Sequence, residues 1–296
     1  MTDRNKKLAS FILIFVALVW GASFILIKKA LLVYSPVQVA LARIFFAYIV
    51  LVPSAVMYFK KYFKQNGWQL AFSGIIGNLI PAFLFAKAQT QLASGIAGVL
   101  NSLTPLFTLL IGIYFFKNKI IRGHVIGILF GLAGSVGLSL INPRGELGSI
   151  NVYAWLVIVA SFCYALNVNF IKKYLGEIQA VRLTALALFF VGPPSLIYLL
   201  TTDFLKITTS HSDGWLALGY LAFLGIVNTA LALVLFFRLL QMTSPVAASS
   251  VTYVIPVIAL LFGVMDGETI FFMHIIGMFL IIIGVYLVNR RIPENV

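Results

Sequence analysis

Hydrophobic residues come along this chain in about ten runs of 18 residues or more, separated by short polar stretches. The runs fall near residues 8–28, 36–59, 68–88, 92–116, 121–141, 153–173, 180–200, 215–237, 244–264 and 271–289. About 20 apolar residues, each rising 1.5 Å, cross the ~30 Å hydrocarbon core of a bilayer, so each run predicts a transmembrane helix. The third and fourth runs are nearly continuous and divide at Gln89–Gln91. The run after Lys7 is too long for the core of a signal peptide and lacks a small-residue cleavage site, so it reads as the first span. The connections are short, which leaves the chemistry to the membrane and its mouths.

Composition agrees. Of 296 residues, 61% are hydrophobic and 10% charged, where a soluble domain needs roughly 25% charged residues to cover its surface. The net charge of +13 could suggest nucleic acid. The basic residues, however, cluster between apolar runs, so no nucleic-acid partner is expected, only membrane lipid and a small-molecule substrate. Lys and Arg concentrate in cytoplasmic loops. With the N-terminus inside, fifteen basic residues fall on the cytoplasmic side and five opposite, while Asp266 and Glu268 lie outside. Both termini are therefore expected in the cytoplasm and the chain in the cytoplasmic (inner) membrane. The single cysteine, Cys163, permits no intramolecular disulfide and suggests no metal cluster.

The chain also repeats itself with an offset of about 150 residues. Gln91–Ser94 matches Gln241–Ser244, each followed by a small-residue helix reaching a proline, Pro105 or Pro256. Asn78 matches Asn228, and Gly127 and Gly134 match Gly277 and Gly284. Earlier in each half, Ile27-Lys28-Lys29 matches Ile171-Lys172-Lys173, setting Trp20 opposite Tyr164 and Ser23 opposite Asn167. The halves, 8–141 and 153–289, hold five spans each. An odd number inserts the second half upside down. Inverted repeats of this kind are a transporter signature, with substrate bound near the midplane between them.

These residues resemble the drug/metabolite transporter superfamily, in its ten-helix branch of paired EamA domains. Trp20-Gly21-Ala22-Ser23-Phe24 is similar to the family's W-G-x-x-F. Pro36 followed by Arg43 and Ala47 is similar to its proline and R-x-x-x-A. Ser94–Gly98 up to Pro105, and Ser244–Ala248 up to Pro256, are similar to its small-residue run to proline. The Glu that often follows that helix is Glu268 in the second half, whereas Asn118 holds its place in the first. The resemblance covers about residues 10–290. It implies an all-α polytopic membrane protein with ten transmembrane helices, two inverted five-helix repeats around a central cavity. It also implies export or exchange of amino acids or other small metabolites.

Polar groups at bilayer depth are expensive, so each needs a partner or a function. No Asp or Glu lies well inside any span, which removes the usual handle for proton coupling and points to facilitated diffusion or weakly proton-linked transport. Arg43 is the one deep basic residue, read either as a structural anchor or as a cavity charge for a substrate carboxylate. Asn78, Asn101, Asn167, Asn169 and Asn228 could line the cavity or bond helix to helix. Trp20, Ser23, Tyr164 and Tyr253 are further lining candidates, and most of the many Phe residues are read as lipid-facing or packing. Pro105 and Pro256 are candidate hinges, since a mid-helix proline loses a hydrogen bond and kinks the helix. Gly123, Gly127, Gly131 and Gly134 form a small-residue stripe, read as packing within a monomer ahead of a homodimer interface. His124, His211 and His274 lack metal-ligand spacing, and no P-loop or nucleophile elbow occurs, so no enzyme, cofactor or metal is expected.

The expected function is a secondary transporter, an exporter or facilitator of amino acids or similar small metabolites, by alternating access. Phosphorylated-sugar or nucleotide-sugar exchange would require several deep Lys or Arg residues. A membrane sensor or enzyme would require clustered ionisable groups or a soluble module.

Overall fold

The computed structural model describes residues 3–116, 126–127, 129–131, 133–134, 151–269 and 271–289. Most of the fifth expected span lies outside these, as do Asn118, Gly123, His124, Arg290 and Arg291; the side chains of Tyr253 and His274 are likewise not described. Every regular element among the described residues is helical. Among the described residues six helical stretches are long and apolar enough to cross a membrane: Lys7–Leu31, Pro36–Ala88, Ser94–Phe115, Val152–Tyr174, Ala180–Leu200 and Gly214–Met242. Ile255–Met265 and Ile275–Gly284 are shorter apolar helices.

The first half opens with α1 (Asp3–Leu31) and α2 (Pro36–Gly74), followed by a π-helical segment, Ile75–Leu79, and α3 (Ile80–Ala88). Local chemistry sets the entry to α2. Ser35 accepts from the Gln38 backbone N–H while the Gln38 side chain accepts from Ser35, and Pro36 occupies the first turn. The connection expected between residues 59 and 68 is helical, not a loop. A straight helix over all 53 residues of Pro36–Ala88 would run about 80 Å. Ile44 and Ala82 nevertheless pack in one apolar cluster with Leu188 and Val191. The chain therefore doubles back inside this stretch, and its two limbs correspond to the second and third expected spans.

The second half holds α6 (Val152–Tyr174), α7 (Ala180–Leu200), the short α8 (Phe204–Ser210), α9 (Gly214–Gly225), a second π segment, Ile226–Leu231, and α10 (Ala232–Met242). Asn151 caps α6 by accepting from the Tyr153 N–H at 2.9 Å. Helix α8 falls in a stretch read as a loop. Tyr34 holds it through its hydroxyl, 2.8 Å from Thr208 Oγ1 and 3.0 Å from the Gly214 carbonyl. Residues of early α1 (Ala9, Ile12, Val16) cluster with late α6 (Val168, Ile171), and Phe24 clusters with Ala154 and Val157. Helices α1 and α6 thus run antiparallel, with Lys28 and Lys172 at opposite ends.

The fourth and ninth expected spans are each interrupted near their proline. Helix α4 (Ser94–Asn101) stops before α5 (Thr104–Phe116) begins, with Pro105 in the first turn of α5. Helix α11 (Pro245–Ser249) passes through a 3-10 turn, Ser250–Tyr253, into α12 (Ile255–Met265), with Pro256 in the first turn of α12. A first-turn proline has no N–H to leave unbonded and its fixed φ suits the helix start, so the chain restarts there instead of bending through. The final helix, α13 (Phe272–Asn289), packs against the glycine stripe. Gly134 leaves no room for a Cβ beside the Gly277 carbonyl, and Gly284 none beside Gly127 and Gly131. At the described residues, that stripe serves packing within one chain.

Candidate functional site

A cavity of about 80 Å³ lies between the helices, lined by residues of both halves. By the same measure one water needs roughly 10–15 Å³, so the space suits a small solute. Its wall is mostly apolar, with Phe24, Phe85, Phe236 and Phe237 contributing rings. The same four phenylalanines also belong to the packed apolar core. Trp20, Ser23, Arg43, Asn78, Asn101, Tyr164, Asn167 and Asn228 all line the cavity. Asn169 does not: its amide donates to the Thr108 carbonyl at 3.1 Å and the Ala165 carbonyl at 2.9 Å, joining α6 to α5.

The two π segments build much of the polar wall. Each sends a side-chain donor back five residues to a backbone carbonyl: Asn78 Nδ2 to Ser73 O at 3.3 Å, and Thr229 Oγ1 to Leu224 O at 2.8 Å. Such segments arise where a helix takes an extra residue, and they recur at functional sites. The second is tied to α1 twice. Trp20 Nε1 donates to the Asn228 carbonyl at 2.9 Å, and the Asn228 amide donates to the Val19 carbonyl. That bond fixes the Asn228 amide orientation and leaves its Oδ1 buried without a partner among the described residues. Asn167 Oδ1 is likewise buried and unpartnered. The Asn167 amide sits against Gly77, where a Cβ would collide with it.

Arg43 donates from Nε to Thr229 Oγ1 at 2.7 Å. Among the described residues no carboxylate pairs with it; the ion pairs found there join Lys28 and Lys29 to Asp266 and Glu268. A cation held inside a membrane protein without a counter-ion is costly, and the cost falls when an anion arrives. Sequence reasoning missed Thr229, whose only signal is its place beside the repeat-matched Asn228. It also missed Ser249 and Thr252, which reach the cavity from the broken span before Pro256.

A second polar cluster lies at the Lys28 end. Glu268 Oε1 stands 2.7 Å from Lys28 Nζ and accepts from the Ser94 N–H and hydroxyl, both at 2.8 Å, while Oε2 accepts from the Gly95 N–H at 3.2 Å. Its side chain is only 4% exposed. Burial alone would raise the Glu268 carboxyl, but Lys28 and the Ser94 and Gly95 donors hold it below its ordinary value. Asp266 is also held below its ordinary value, chiefly by the hydrogen bond from Lys29.

Membrane-length apolar helices enclosing a mostly apolar cavity with a few convergent polar groups define a multi-pass membrane transporter once the relatives are considered. The EamA-like transporter family matches residues 7–140 and again 151–290. The chain belongs to that family, and so to the drug/metabolite transporter superfamily; it is a transporter and not an enzyme. It is 26% identical over 275 residues to an uncharacterized transporter of Archaeoglobus fulgidus, covering 92% of this chain and 95% of that one. It is 27% identical to the uncharacterized inner membrane transporter YedA of Escherichia coli, covering 92% and 87%. A Salmonella typhimurium protein named as a probable amino-acid metabolite efflux pump is 26% identical, covering 94% and 93%. A solved crystal structure shares the fold at a TM-score of 0.62 with 18% identity, covering 95% of this chain and 96% of that one.

Proposed function

We propose that this transporter exports or facilitates the passage of amino acids or similar small metabolites, recognising a substrate carboxylate with Arg43. The observation that carries this reading is the cavity guanidinium with no carboxylate partner among the described residues. A planar fork of donors matches a carboxylate in bidentate fashion. Asn167 Oδ1 and Asn228 Oδ1, both unpartnered, offer acceptors to an ammonium group. A zwitterion satisfies both sets at once. The Salmonella typhimurium relative's name is consistent with this class of solute. Phosphorylated substrates fit less well, because Arg43 is the only basic residue lining the cavity among those described.

Transport proceeds by alternating access between two inverted five-span repeats in a ten-helix bundle, with both termini cytoplasmic in the cell's inner membrane. The matched π segments and matched broken spans support that symmetry, and the distribution of basic residues supports the orientation. The carrier works as a monomer without a cofactor, and its glycine stripe is used within the chain. The lining residues include no Asp or Glu, so movement follows the solute gradient with weak proton linkage or none.

A thermal-stabilisation screen of the purified protein tests the reading, since a bound solute raises apparent stability. Amino acids should stabilise the wild type and Arg43→Lys less, and leave Arg43→Ala unmoved. Equal stabilisation of Arg43→Ala would sink the proposal.

A further inference from the structure

The two ends of the cavity are built differently. Each half presents a lysine at the end of its first helix, Lys28 in α1 and Lys172 in α6. Lys172 reaches the joint between the third and fourth spans of its own half directly. Lys172 Nζ donates to the carbonyls of Leu240 at 3.1 Å and Thr243 at 2.9 Å, just before Ser244. Lys28 instead meets a carboxylate from the opposite half: Glu268, which lies just beyond α12 and binds the first residues of α4. One side chain thus ties together α1, α4 and the end of α12.

The backbone around this tie is closely packed. Gly98 of α4 lies against Ala259 of α12, Gly21 of α1 against Ile258, and Gly263 beneath the Glu268 carboxylate, each without room for a Cβ. The repeat-matched positions at the Lys172 end carry bulkier residues, Pro245 for Gly95 and Ala248 for Gly98, and Asn118 replaces Glu268. Among the described residues, a buried carboxylate tie and this close packing coincide at the Lys28 end. Ile27, one residue before Lys28 in α1, lines the cavity.

We propose that Glu268 is the latch of a gate at the Lys28 end, and that the present structure is the state with that gate shut. Opening there separates α1 from α4 and α12, and it requires the carboxylate to leave Lys28, Ser94 and Gly95 together. Each of those donors is a charge-assisted bond, stronger than a neutral one. Lys172 itself has no carboxylate partner among the described residues and donates to the carbonyls of Leu240 and Thr243, so its end opens more readily. The carrier therefore rests accessible from the Lys172 side, which the charge distribution assigns to the cytoplasm. A resting carrier loaded from that side is suited to export.

The test is the accessibility of a single reporter cysteine, Ile27→Cys, in a Cys163→Ser background of the full chain in liposomes. A membrane-impermeant maleimide is applied from each face in turn. Glu268→Gln keeps the shape of the side chain and removes its charge; Lys28→Gln removes the cation and leaves the contacts with α4 intact. Both should raise the labelling rate from the Lys28 face by on the order of tenfold, as a shift in gate population, and lower it from the other face. Unchanged labelling from the Lys28 face in either folded variant overturns the proposal, as does a rise confined to the Lys172 face. The readout needs no substrate, so its failure is distinct from a failure of the Arg43 reading.

Discussion

Arg43 and Thr229 meet across the two halves of the chain, the guanidinium Nε donating to the threonine hydroxyl at 2.7 Å. The hydroxyl in turn donates to the Leu224 carbonyl at 2.8 Å, so a π segment of the second half fixes the direction of a cation from the first. A hydrogen bond to a charged group contributes about 1.5–3 kcal/mol. Thr229→Val keeps the shape of the side chain and deletes the acceptor. It should raise the half-saturation concentration for substrate roughly tenfold or more while leaving expression and folding intact. Uptake kinetics in proteoliposomes would check this, and an unchanged half-saturation value would show that Thr229 does not orient the arginine.

Gly77 and Asn167 form a second dependence that stability can read. A Cβ at Gly77 would overlap the Asn167 amide, and overpacking of this kind costs about 1–3 kcal/mol. Gly77→Ala should therefore lower the melting temperature and impair transport. Combining it with Asn167→Ala should recover the stability but not the transport, because the space returns and the amide does not. The pair should depart from additivity in a double-mutant cycle; additive losses would mean the two positions are not in contact.

At the Lys28 end, pH should act with a defined sign. Glu268 and Asp266 have carboxyls held below their ordinary values, facing Lys28 and Lys29. The stability they contribute is fully present above the unfolded value, near pH 4.3 for Glu and 3.9 for Asp. It is lost as the pH falls through the depressed folded values. Melting temperatures of the wild type and Glu268→Gln should differ most above about pH 5 and converge on acidification. A gap that widens as the pH falls would contradict the ion-paired state.

The stripe of Gly127, Gly131 and Gly134 against Gly277 and Gly284 predicts a monomeric effect. Gly284→Val should destabilise by about 1–3 kcal/mol without changing the mass of the solubilised particle, measured by light scattering. A change in particle mass with unchanged stability would place the stripe at an interface between copies.

Much of this was legible in the chain. Apolar runs marked the six membrane-length stretches found among the described residues, and matched residues across the halves singled out Asn78, Asn228, Ser23 and Asn167, all at the cavity wall. Period and composition could not show that residues 59–68 would stay helical while the chain doubled back, because a polar stretch between two apolar helices reads as a loop. The π segments were also hidden, since one extra residue in a helix leaves no compositional trace. Pro105 and Pro256 marked the right places, but a proline signals an interruption without saying whether the helix bends or restarts. Thr229 and Glu268 were the hardest to assign. Their roles depend on partners 186 and 240 positions away in sequence, Arg43 and Lys28, which only the assembled helices bring near.

Recognition of a carboxylate by Arg43 is tested most directly by comparing a transported amino acid with its carboxamide in proteoliposome flux. The two differ by one charge and almost nothing in size. The wild type should move the amino acid and discriminate against the carboxamide by more than tenfold, as expected for a lost charge-assisted pair, and Arg43→Ala should move both slowly with the preference gone. Equal transport of the two solutes by the wild type, or undiminished preference in Arg43→Ala, would contradict it.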